Sequence, residues 1–164
     1  MKSIKTTDLI DLQIWCREFS YKTKYPADEM RRFAIGFYQI YQGIEWKDTA
    51  SSCESYAAAA IHFLMVSEML ELDVETYLPR DLGDSAYGTT DGVFKCLLYK
   101  LSKAQSYLVY MTNEKNIVNR KGRYDPSKLC SCLSSCISHC FGLIRPADRA
   151  KAVELATQIM TGVL

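Results

Sequence analysis

Apolar residues in this chain recur at three- and four-residue steps, and a period-two alternation is nowhere sustained. A strand shows its buried face at every second residue and a helix at every third or fourth, so the pattern points to helices. Leu9, Leu12, Cys16 and Phe19 trace a first stripe, capped by Thr7 or Asp8. Pro26 stands where a first helical residue belongs, with Asp28 and Glu29 favourable to the helix dipole. The stripe that follows is Met30, Phe33, Phe37, Ile40 and Ile44, and Gly43 is expected to end it. Asp48 or Thr49 caps a third helix running through Tyr56, Ala57, Ala60, Phe63 and Leu64 to Leu72, and Asp73 caps one more short turn stopped by Pro79. A fourth stripe reads Phe94, Leu97, Leu101, Ala104, Leu108 and Met111. Asp125-Pro126-Ser127 starts a fifth helix with Leu129, Cys132, Leu133, Cys136, Ile137, Cys140 and Leu143 on a broad face. Pro146 starts the last, with Val153, Ala156, Ile159 and Met160. The expected fold is all-α, a bundle of about six helices.

The chain's 164 residues suit one domain, 1–164, large enough to bury a core without staples. With 20 Lys+Arg against 19 Asp+Glu, the net charge of +1 removes any global attraction to nucleic acid or a membrane surface, so nucleic acid is disfavoured as a partner except at local patches. The N-terminus lacks an apolar signal region, and the longest apolar run, near 57–66, is too short for a bilayer that needs roughly 20 residues. Seven Cys, four of them within 130–140, do not make a spaced disulfide framework. The expected location is cytoplasmic, with reduced thiols and no membrane contact.

Residues 79–92, with Gly83, Gly88 and Gly92 among Asp, Ser and Thr, form the best linker candidate. The two sides of it look related. Cys53 and Cys130 are separated by 77 positions, as are His62 and His139, and small side chains dominate both neighbourhoods. Pseudo-repeats over 26–78 and 94–145 are one reading; chance agreement between small residues is the other.

The candidate chemistry is sparse. Cys132, Cys136 and Cys140 share a helix face but spread over about 12 Å at 1.5 Å per residue, too far to converge on one tetrahedral metal. They read as small packing residues, and no metal site is assigned. His62 and His139 lie in predominantly apolar helices without a nucleophile elbow, so a core or pocket-lining role outweighs a catalytic one. No glycine-rich phosphate loop occurs. The loop around Lys115, Arg120, Lys121, Arg123 and Lys128, with Tyr124 beside it, is either solvated charge or an anion contact.

An absence is more informative. Residues 33–44, 92–113 and 126–147 contain no Asp or Glu, and so supply neither Mg²⁺ ligands nor a carboxylate acid/base pair. The segment 61–78, with its Leu70-Glu71-Leu72-Asp73-Val74-Glu75 turn, resembles part of the all-α nucleotide pyrophosphohydrolases, the MazG-like and dimeric dUTPase-like group. In that family a long apolar helix ends in a Leu-Gly-Ile-Asp-like turn. The stretch from Arg32 to Tyr38 is similar in placement to the family's Glu-Glu-x-x-Glu helix. The resemblance puts the metal-binding positions on Phe33, Ala34 and Phe37, and the Glu-x-x-Asp pair on Ser55 and Ala58. In the second half, Lys103, Ala104 and Tyr107 take the first motif, and Cys132 and Ser135 the second. It therefore implies a relative without Mg²⁺ or hydrolysis, folded as a tandem copy of a two-subunit bundle.

The expected function is that of a non-catalytic binder, not an enzyme, with no cofactor and no catalytic residue. Its expected ligand is a nucleotide-like phosphorylated molecule held by Tyr38, Tyr56, His62, Lys103, Tyr107, His139, Arg120, Lys121 and Arg123. Tyrosines could stack a base, and stacking contributes about 1–3 kcal/mol. The rival is a protein-binding inhibitor or adaptor acting through a helical surface, such as the terminal Val153, Ala156, Ile159 and Met160 stripe, which could also serve a homo-oligomer.

Overall fold

A computed structural model describes residues 29–47, 50–78, 90–114 and 126–161, and within them all side chains except those of 90, 110–114 and 159–161. The expected first helix, the caps Asp48 and Thr49, Ile159 and Met160 as side chains, and the loop bearing Arg120, Lys121 and Arg123 lie outside this description. The described residues form five α-helices: α1 (Glu29–Glu45), α2 (Ala50–Met69), α3 (Thr90–Glu114), α4 (Pro126–Gly142) and α5 (Arg149–Thr161). Two 3₁₀ turns, Glu75–Tyr77 and Pro146–Asp148, join them, and no strand occurs among these residues. The protein is an all-α helical bundle.

Helix α2 is its centre. Every residue from Ser55 through Ser67 is buried, because no charged side chain interrupts that stretch and a helix apolar on all sides must be covered on all sides. Helices α1, α4 and α5 cover it, and α3 packs on the outside of α4.

Two glycines set the approach of α1 to α2. A Cβ on Gly36 would lie 2.7 Å from the Phe63 ring, and one on Gly43 would lie 2.6 Å from the Tyr56 ring. The pairing of 36 with 63 and of 43 with 56 makes the helices antiparallel. Phe33 adds a tilted ring contact to Phe63, with centroids 5.4 Å apart. Ser52 ties the end of the pair by donating from Oγ to the Gly43 carbonyl at 2.7 Å.

This contact corrects the reading of α1. Gly43 does not end the helix; it is buried within its last turn. The buried stripe is Phe33, Gly36, Ile40 and Gly43, whereas Phe37 and Ile44 are 47% and 41% exposed. The physical reason is interhelical distance: backbone contact at glycine brings the helices together on a narrower line than large side chains would allow.

Helix α2 ends in a Schellman motif. Leu72 N–H donates to the Ser67 carbonyl at 2.9 Å and Glu71 N–H to the Glu68 carbonyl at 3.0 Å. Glu71 takes the left-handed position usually given to glycine, with φ 54°. The turn that follows is bonded to α4: Cys130 Sγ donates to the Asp73 carbonyl at 3.0 Å, and Ser134 Oγ to the Val74 carbonyl at 3.1 Å. The small residues of α4 thus satisfy carbonyls of another element as well as allowing close packing.

At the other end of α4, Arg149 is buried and its Nε donates to the carbonyls of Phe141 at 2.9 Å and Ile144 at 3.1 Å. A guanidinium there compensates orphan carbonyls and the negative end of the helix dipole. Pro146 opens a 3₁₀ turn, and the α-helix proper begins at Arg149. Helix α3 begins at Thr90, so 90–92 belong to a helix and not to the expected linker. Asp91, in its first turn, pairs with Lys95 at 3.0 Å, which supports this earlier start. No single helix among the described residues is long and apolar enough to cross a membrane.

Candidate functional site

The end of the bundle where α1 finishes and α2 starts is also where α4 passes into α5 and α3 begins. Helix ends diverge once their packed stripes stop, and here they leave a cleft of about 780 Å³. That volume is in the range of small-molecule sites, about 300–1,000 Å³. Lys47 enters from the end of α1, and Ser52, Cys53, Glu54 and Tyr56 from the first turns of α2. Phe94 and Asp91 come from α3, and Arg145, Asp148 and Lys151 from the α4–α5 junction.

The floor is apolar with a polar edge. Tyr56 is buried, its ring held against Gly43, and burial pushes its phenol pKa up while a hydrogen bond with Ser52 opposes the rise. Burial also raises the Cys53 thiol, with Asp148 adding to the rise and Arg145 opposing it. Cys53 is therefore a neutral thiol, a poor nucleophile at neutral pH.

The rim carries three cations, Lys47, Arg145 and Lys151, and three anions, Glu54, Asp91 and Asp148. Arg145 Nε is paired with Asp148 at 2.8 Å, and Asp91 with Lys95. No ion pair holds Lys47 or Lys151 among the described residues, so their ammonium groups are available to a bound anion. The arrangement can bind an amphipathic molecule: flat apolar surface at Phe94, Ile44 and Leu143, with cations at the mouth.

Of the residues singled out by sequence, Tyr56 alone lines this cleft among those described. Tyr38 is exposed on α1, its hydroxyl accepting from Gln42 Nε2 at 3.3 Å. His62 is buried in α2, and Nδ1 finds no hydrogen-bond partner among the described residues. Burial, with nearby Arg32 acting in the same direction, lowers its pKa from 6.5 to about 4. Lys103 is exposed on α3 with Nζ 5.7 Å from the centre of the Tyr99 ring, and Tyr107 lies half-buried against the core. His139 is hydrogen-bonded through Nδ1 to the Ser135 carbonyl of its own helix.

The cysteines of α4 are core residues. Cys130, Cys132, Cys136 and Cys140 are buried, and desolvation raises every one of these thiols, Cys136 and Cys140 most strongly. Among the described residues no group of three or more His, Cys, Asp or Glu side chains is placed to hold a metal ion.

Lys47, Cys53, Phe94, Arg145 and Lys151 were not legible as site residues. Each sits near the end of a different helical segment, and no local spacing links them; only the packing of five helix ends brings them together.

The chain matches no known family model, no curated protein and no solved structure.

Proposed function

We propose that this protein is a non-catalytic binder whose cleft holds a nucleotide-like phosphorylated ligand without hydrolysing it. The observation that carries the reading is the cleft wall, where Lys47 and Lys151 stand across apolar and aromatic surface at Ile44, Phe94 and Tyr56. Phosphate oxygens would meet the ammonium groups, and a planar ring would lie on Phe94. Further support comes from the positions at which the MazG-like pattern expects acidic metal ligands. Phe33, Ser55, Ala58, Ala104 and Cys132 are buried, Tyr107 and Ser135 half-buried and Ala34, Phe37 and Lys103 exposed, and none of the ten carries a carboxylate for a metal ion. Glu71, at the glycine position of the family's turn, has the left-handed backbone that glycine adopts most readily.

Isothermal titration against mono-, di- and cyclic nucleotides, with and without Mg²⁺, tests this reading. Binding without Mg²⁺, lost in Lys47→Glu or Lys151→Glu, with the nucleotide recovered intact by chromatography, is the expected result. Heat-silent titrations throughout, or turnover of the nucleotide, would reject it.

A protein-binding adaptor or inhibitor is the second reading. The terminal helix is a poor surface for it, since Ala152 and Ala156 are buried. Its support comes from α1, whose outer face exposes Phe37, Tyr38, Tyr41 and Ile44.

A further inference from the structure

Two of the charges of each sign at the cleft are already matched within the chain or nearly so: Arg145 Nε meets Asp148 at 2.8 Å, and Asp91 meets Lys95 at 3.0 Å. Three other charged groups line the same cleft, Lys47, Lys151 and Glu54, and none of them has an ion pair or hydrogen bond among the described residues. They differ in depth. Lys47 and Lys151 are exposed, whereas Glu54 is half-buried. Ala50, Cys53 and Glu54 follow one another at steps of three and one on α2, and all three line the cleft. The helical period therefore turns residue 54 towards the cleft, and a 20-residue helix holds it there.

A half-buried carboxylate without a partner constrains what can cover it. Ionised, it only accepts hydrogen bonds, and its two oxygens can take two donors side by side. A ligand that covers it without donors takes the charge out of water uncompensated. Glu54 also repels phosphate, so a phosphorylated ligand lies with its phosphates towards Lys47 and Lys151 and turns a different edge to Glu54. Two parts of a nucleotide offer adjacent donors, the 2′,3′-diol of a ribose and the N1–H and amino edge of guanine. The pairing edges of adenine, cytosine and uracil each place an acceptor beside the donor, which would face the carboxylate with like polarity.

We propose that Glu54 is the specificity-determining residue of the cleft and selects ligands that present two adjacent hydrogen-bond donors, from a ribose diol or a guanine edge. This rests on the reading that the cleft holds a nucleotide-like phosphorylated ligand. It adds a direction to that ligand: phosphates at the two lysines, donor pair at Glu54. A site built to hydrogen-bond a ligand's O–H or N–H discriminates strongly against the analogue that lacks it, because its own polar group is then left unpaired.

Titration calorimetry without Mg²⁺ tests this on the full chain with four ligands, the 5′-diphosphates of adenosine, guanosine and their 2′,3′-dideoxy forms. Dideoxyadenosine diphosphate has neither donor pair and should bind about tenfold more weakly than the tightest of the four. If the diol is the source, both ribose forms exceed both dideoxy forms; if the guanine edge is the source, both guanine forms exceed both adenine forms. Glu54→Gln keeps the side-chain volume but offers one acceptor, and should erase that preference about tenfold without weakening dideoxyadenosine diphosphate. Equal affinity of the parent for all four would overturn the inference, as would a Glu54→Gln variant that keeps the parent's preference. If binding in either case still depends on Lys47, the inference alone falls and the cleft reading stands. No binding of any of the four rejects the cleft reading and the inference with it.

Discussion

The ring of Tyr56 lies so close over Gly43 that a methyl group there would sit 2.6 Å from Cε1 and 2.8 Å from Cζ. This contact fixes the distance between α1 and α2, and it holds the tyrosine that forms part of the cleft floor.

Replacing Gly43 with Ala sets two effects against each other. Helix propensity favours Ala by about 1 kcal/mol in a helix interior. Overpacking a buried contact costs about 1–3 kcal/mol, and Tyr56 is only 8% exposed, so its ring has little room to withdraw. Gly43→Ala should therefore be destabilising overall, by up to about 2 kcal/mol after subtraction. Urea denaturation measures it, and a variant more stable than the parent would contradict the close packing.

Glu71 gives the opposite sign. Its φ of 54° costs a side-chain-bearing residue about 1–2 kcal/mol, while glycine adopts it freely. Part of that gain is returned through the greater freedom of glycine in the unfolded chain. Glu71→Gly should raise stability by about 0.5–1 kcal/mol, read as a higher melting temperature. A fall would mean that Glu71 makes a stabilising contact outside the Schellman turn.

His62 predicts a pH dependence. Its pKa is lower in the folded protein, about 4 against 6.5, so the unfolded chain binds the extra proton across that interval. The stabilisation is complete above pH 6.5 and is lost as pH falls towards 4, by on the order of 3 kcal/mol. Denaturation at a series of pH values should show this slope in the parent and a flatter one in His62→Leu. Equal slopes would place the titration elsewhere.

The helical class was legible because a period of three to four survives any arrangement of neighbours. Individual contacts were less so. The stripe Met30, Phe33, Phe37, Ile40 and Ile44 ranks large apolar residues as core, yet Gly36 and Gly43 are buried while Phe37 and Ile44 face out. A glycine carries no hydrophobic signal, and its value to packing exists only when Phe63 and Tyr56 of another helix are present. Tyr56, singled out by sequence, lines the cleft; Lys47, Phe94, Arg145 and Lys151 line it too but were not singled out, because residues so distant in sequence share no period.

The sequence by itself determined a chain of helices, a charge-free stretch over 55–67 of the central helix that must be buried, and the lack of carboxylates over 33–44, 92–113 and 126–147. These follow from local periodicity and from the cost of burying charge, both properties of the chain alone. Tertiary structure decided which face of α1 turns inward, which carbonyls Ser134 and Arg149 satisfy, and where the cleft opens. Each depends on the distance between elements far apart in the chain, which is set by the side chains that happen to meet.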